Sequence, residues 1–130
     1  LTAANFNGTA TSAYYADLAE KYLPDADYEA GTVLIIGGEK EVTASKAGKR
    51  AVGVVSTNPA YMMNSELEGG VYVALKGRVP VKVVGPIKKG QTIICNQDGK
   101  AIVGEGANVF GQALETNLDV GVKLVECVIK

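Results

Sequence analysis

Asp17 and Glu20 are the two side chains whose types and spacing could do acid–base chemistry. If residues 15–23 (YADLAEKYL) form a helix, a spacing of three brings both carboxylates to one face. Two carboxylates held close do not both ionise easily, so one keeps its proton and the pair can serve as acid and base. In a hydrolysis one would activate water and the other would protonate the leaving amine. The same residues have a plainer use, because acids in the first turns of a helix are favoured by its dipole and Lys21 can screen them. Residue types alone favour that structural use.

The rest of the composition removes chemistry. With no histidine, Ser-His and Cys-His nucleophile pairs and the common metal sites are excluded. Ser45 and Lys46 are adjacent, so in a strand they point to opposite faces, the wrong arrangement for a Ser-Lys dyad. Gly104-Glu105-Gly106 lacks the spacing and the following Lys-Ser/Thr of a phosphate loop. Cys95 and Cys127 sit far apart in apolar runs and read as small buried side chains; a disulfide is open but unsupported, and two cysteines make no zinc site. No cofactor and no metal are expected.

The formal charge is −1, with Lys and Arg scattered among acids, so little electrostatic pull toward nucleic acid exists. No apolar run reaches the roughly 20 residues that cross a bilayer, and no basic-then-apolar leader opens the chain. An initiator Met is also absent, so a piece of a longer protein is expected. Lys82, Lys88 and Lys89 read as solvating turns and edges. Tyr61, Met62 and Met63 form an apolar cluster in a loop, either plugging the core or meeting another subunit.

These groups must be positioned by a mainly β chain. Residues 15–23 carry the one helix pattern, with Leu18, Ala19 and Tyr22 near one face and Pro24 ending it. From Gly31 onward, strands are expected at residues 32–36, 41–45, 51–56, 71–75, 78–84, 91–95, 101–103, 109–115 and 122–129. Val79, Val81 and Val83 alternate with less apolar positions, as a half-buried strand requires, and Pro80 puts that strand at an edge or a bulge.

The chain also repeats itself. YEAGTVLII (28–36) echoes IKKGQTII (87–94), GEKEVT (38–43) echoes DGKAIV (98–103), and VGVVSTN (52–58) echoes FGQALETN (110–117). Gly31 and Gly90 then occupy equivalent tight turns. The expected architecture is a compact barrel, roll or sandwich of two similar β units. A short N-terminal helix and an extended N-terminal segment precede them. Residues 1–16 are too poor in bulky side chains to fold alone and read as a linker or as a fibre segment ordered against its own copies. Residues 17–130 form the domain.

Three segments carry a resemblance. They are Asp17-Leu18-Ala19-Glu20 (D-x-A-E) followed by Tyr22, GVVSTNPAYMMNSE (53–66) and ALKGRVPVKVVGPIKKGQTI (74–93). In this order they resemble the C-terminal autoproteolytic intramolecular chaperone domain of phage neck-appendage proteins (peptidase G2). They are also similar to the ends of phage tail fibres in which Y-A-D-L-A-E-K-Y recurs. The resemblance implies a virion module, assembled in the host cytoplasm, that helps a homotrimer form on the upstream fibre shaft. It also implies a self-cleaving alternative in which Asp17 and Glu20 are catalytic and the chain is cut upstream of Asp17. A receptor- or glycan-binding tip is the remaining alternative; aromatic residues make up only 6%, which ranks it last.

Overall fold

The computed structural model describes residues 16–57 and 59–130. Among them are ten strands and one 3₁₀ turn at Gln97–Gly99. The extended segment expected over residues 1–16 lies outside the described residues, save for Ala16.

The expected helix over residues 15–23 is a strand, β1 (Ala16–Tyr22). An isolated helix of nine residues is marginal in water, whereas this segment finds a partner on each edge. It pairs antiparallel with β6 (Val71–Val84) and parallel with β5 (Tyr61–Met63). Burial follows period two: Asp17 and Ala19 are fully buried and Leu18 faces out. The helix-like spacing of Leu18, Ala19 and Tyr22 is overridden by tertiary pairing.

The remaining strands are β2 (Val33–Ile36), β3 (Val42–Ala44), β4 (Gly53–Val55), β7 (Thr92–Cys95), β8 (Ala101–Val103), β9 (Gly111–Ala113) and β10 (Val122–Ile129). They run β10-β9-β7-β8-β6-β4-β2-β3, and β10 also pairs with β6. That last pairing closes β6, β8, β7, β9 and β10 into a five-stranded barrel. The fold is therefore mainly β, a small barrel with additional strands.

The additional strands follow the same scheme. β4, β2 and β3 continue from the first half of β6, and β1 pairs with that half on its other edge. Just after β1, Pro24 bridges Val42 in parallel. Its counterpart in the C-terminal barrel is the parallel contact of Val83 with Ala101. In sequence order, β1-β2-β3-β4 and the first half of β6 match the second half of β6 followed by β7-β8-β9-β10.

Hydrogen bonds repeat atom for atom. Gly31 N–H donates to Val55 O at 2.9 Å, and Gly90 N–H donates to Ala113 O at 2.9 Å. Val55 N–H returns to Thr32 O at 2.9 Å, as Ala113 N–H returns to Gln91 O at 2.9 Å. Gly31 and Gly90 have φ of 90° and 94°, a left-handed conformation that costs glycine little.

β6 joins the two units as one strand of fourteen residues, where two separate strands were expected. Between Leu18↔Lys76 and Ala19↔Ala74 the ladder skips Leu75. One extra residue on β6 is a bulge, which bends the strand. Pro80 stands opposite Glu126 of β10. Its other edge has no ladder partner among the described residues, since β8 joins only at Val83, so the absent N–H breaks no bond.

Two apolar clusters hold the units. The larger contains Val79, Val81, Val83, Ile87, Ile93, Phe110, Val125 and Ile129, joined by Val33, Ile35 and Val54 from the N-terminal unit. The smaller contains Leu34, Val42, Val55 and Val73. β2 is thus buried on both faces, Val33 and Ile35 toward one cluster and Leu34 toward the other, which explains its unbroken apolar run. Buried Ser45 ties the units together by donating to the carbonyls of Asn96 at 2.8 Å and Lys100 at 3.3 Å.

Candidate functional site

β1 turns Asp17 inward. The side chain is fully buried, and neither carboxylate oxygen has a hydrogen bond among the described residues. Burial is the main cause that pushes its carboxyl above the ordinary aspartate range. The nearby Ser56 hydroxyl and the N–H groups of Asp17 and Ala60 offset part of that. Ser56 is itself buried at the end of β4, with its N–H given to Tyr72 O at 2.9 Å. The Ala60 N–H is given to the Asp17 carbonyl at 3.0 Å. Burial thus favours the neutral form of this acid more than it would for an exposed aspartate.

Glu20 lies on the other face of β1. It is partly exposed, stands beside Met63 in the β1–β5 ladder, and accepts a hydrogen bond from the Tyr22 hydroxyl at 3.3 Å. Three residues of strand separate the two carboxyl-bearing residues by roughly 10 Å along the chain, with side chains on opposite faces. The shared helical face expected from the sequence is therefore absent, because the element is a strand. Asp17 and Glu20 are not brought together as a proton-sharing pair.

The other candidates fall into structural places. Ser45 and Lys46 lie just past the end of β3, the first buried and the second exposed, so they form no dyad. Cys95 and Cys127 are free buried thiols, pushed up by burial to about 11 and about 12. Lys82 pairs with Glu29, and Arg78 lies 3.7 Å from Glu126. Among the described residues, no three His, Cys, Asp or Glu side chains are grouped to hold a metal ion.

Sequence reasoning missed three features. Tyr61–Met63 is a strand rather than a loop, and all three side chains are exposed, so they do not plug the core. Ser56 stands beside Asp17 although 39 residues separate them in sequence; no local pattern could have shown this. A second exposed apolar group, Leu118, Val120, Val122 and Leu124, lines the β9–β10 loop and the outer face of β10. The alternation VKLVE (122–126) carried a signal for it, since Val122 and Leu124 share a face.

A small cleft of about 100 Å³ runs along Ala30, Gly31, Val55, Ser56, Thr57, Val79, Pro80 and Leu124. It has room for a few waters, far below the volume of ordinary small-molecule sites.

No protein-family model matches the chain, and neither does any curated protein. Solved structures do match in fold. The bacteriophage phi29 gene product 12 C-terminal fragment superposes with a TM-score of 0.72 at 14% identity, over 88% of this chain and 100% of that one. The pre-mature bacteriophage phi29 gene product 12 gives 0.75 at 13% identity over 89% of this chain; the match spans 22% of that longer protein. The head fiber gp8.5 N base of bacteriophage phi29 gives 0.53 at 23% identity over 87% and 93% of the two chains. At these identities the likeness is one of fold: this chain folds like the C-terminal fragment of phi29 gene product 12.

Proposed function

We propose that this chain is the C-terminal module of a phage appendage or tail fibre, and that it assists homotrimer assembly of the chain upstream of it. The observation that carries the reading is the fold match, which takes in 88% of this chain and the whole of a C-terminal fragment from a phage protein. The gp8.5 base, from a phage head fiber, shares the fold more loosely. The D-x-A-E segment, the 53–66 segment and the 74–93 segment support the same reading from the sequence side. β1 supports it mechanically: the strand that receives the upstream chain is paired on both edges, so a pull from a shaft is spread over two ladders.

The test is deletion. The chain is expressed behind its genomic upstream sequence, with and without residues 16–130, and the mass in solution is measured. The reading expects trimers with the domain and monomers or aggregate without it. Trimers formed equally well without the domain would overturn it.

A second reading, self-cleavage upstream of Asp17, is favoured by the burial of Asp17 and the absence of hydrogen bonds to its carboxyl among the described residues. In this reading solvent water adds its oxygen to the scissile carbonyl carbon and the C–N bond breaks. Neutral Asp17 gives its proton to the leaving amine, and the proton lost by water restores the acid. Tethering the bond to the acid supplies proximity without a substrate pocket. Glu20 faces the other way, so its substitution separates one acid from two.

On a denaturing gel the extended chain should give two bands and Asp17→Asn one, while Glu20→Gln should still cut. A single band from the unsubstituted chain rejects the reading, and a single band from Glu20→Gln returns Glu20 to the chemistry.

A further inference from the structure

We propose that two exposed apolar patches on this chain dock on each other between copies, with β5 of one copy against the outer face of β10 of the next. The inference deepens the appendage reading and rests on it, since it names the surfaces through which copies meet. The first patch is Tyr61, Met62 and Met63 of β5 with Leu18 of β1, exposed by 72, 54, 40 and 36%. The second is Val122 and Leu124 of β10 with Leu118 and Val120 of the preceding loop, exposed by 49 to 77%.

The two patches flank opposite halves of β6. Leu18 stands opposite Lys76 and Leu124 opposite Lys82, six residues apart, or roughly 20 Å of extended strand. One chain therefore does not fold one patch onto the other.

Internal repetition shows why β5 calls for a partner. Ser56 N–H to Tyr72 O and Leu114 N–H to Glu126 O are equivalent bonds, at 2.9 and 2.8 Å, closing the ends of the two units. The C-terminal unit then passes to β10 with no strand in between. The N-terminal unit inserts β5 at the same point, so β5 is an addition that barrel closure does not require. It brings three exposed large apolar side chains and a ladder on β1 alone among the described residues. Met side chains adapt to an opposing surface, and clustered exposed apolar groups of this kind mark contact sites.

Charge selects the second patch as the receiver. Glu66 and Glu68 follow β5, are exposed, and belong to no salt bridge among the described residues. Lys88 and Lys89 are likewise exposed and without a salt bridge among them. They lie beside the second patch, because Lys89 N–H donates to Thr116 Oγ1 at 2.9 Å and Ile87 bridges Asn117, next to Leu118. Each rim also carries the other sign, Lys21 and Lys76 beside the first patch and Glu115 and Asp119 beside the second. It is therefore the pairing of Glu66 and Glu68 with Lys88 and Lys89 that fixes the register. Because the patches differ, the contact is head-to-tail, and three copies on one shaft require that its rotation close into a ring.

Disulfide capture between variants tests this. Met62→Cys and Leu124→Cys chains, oxidised as a mixture, should give a covalent dimer on a non-reducing gel, and each alone should give monomer. Buried Cys95 and Cys127 keep the background low. The paired substitution Glu66→Lys with Glu68→Lys should weaken association about tenfold, with the loss reduced at high salt. A covalent dimer from Met62→Cys alone means a symmetric contact and overturns the proposal. No capture in the mixture also overturns it. If the unsubstituted chain is then still a trimer by light scattering, the appendage reading survives with another interface; if it is a monomer, that reading falls too.

Discussion

Gly53 packs directly against the carbonyl of Ala74: a Cβ at residue 53 would come within 2.2 Å of that oxygen and 2.7 Å of the Val73 side chain. Its counterpart in the second unit is Gly111, where a Cβ would lie 2.9 Å from the Val128 carbonyl. Backbone atoms in a ladder cannot withdraw as a side-chain tip can. Gly53→Ala should therefore cost about 3 kcal/mol and Gly111→Ala about 1 kcal/mol, within the usual range for overpacking. Chemical denaturation of the two variants checks the order; equal, small losses would contradict the packing.

The raised carboxyl of Asp17 sets a direction for pH dependence. As pH rises, the unfolded chain releases this proton first, near the ordinary value of about 3.9, and the folded chain later. The contribution of Asp17 to stability is therefore full below the unfolded pKa and is lost as pH rises through the folded one. Glu126, also raised mainly by burial, acts in the same sense, while lowered Asp25 acts oppositely. The clean quantity is the difference from Asp17→Asn. Wild-type stability should fall relative to that variant as pH rises above the ordinary aspartate range of about 3.9; a flat difference would show that Asp17 is not desolvated.

Cys95 and Cys127 should be inert in the folded protein. With thiols pushed up to about 11 and about 12 and both side chains buried, almost no thiolate is present near neutral pH. Alkylation at pH 8 should proceed only at the rate of unfolding and become rapid in denaturant. Fast labelling of either residue without denaturant would mean that its strand opens locally.

The strands after Gly31 were legible because period-two alternation and turn residues are local signals. The repeat was legible for the same reason, in the tight turns at Gly31 and Gly90 and the strands that follow them. Its other half was not. ADLAEKY of β1 and RVPVKVV (78–84) of β6 share no pattern, and their equivalence shows only where Pro24 meets Val42 and Val83 meets Ala101.

β1 read as a helix because Leu, Ala, Glu and Lys favour one and its apolar spacing fits one face. Its state is decided by ladders on β5 and β6, some forty to sixty residues away. Asp17 was visible as a candidate, but its burial against Ser56 depends on that same pairing. Tyr61–Met63 offered three large residues with no alternation, so nothing local marked a strand.

The central claim, a module that assembles as a homotrimer, is tested most directly by the mass of this chain in solution. Light scattering across a concentration series should converge on about 40 kDa, three times the chain mass of 13.5 kDa. A mass that stays at 13.5 kDa at every concentration would contradict the account.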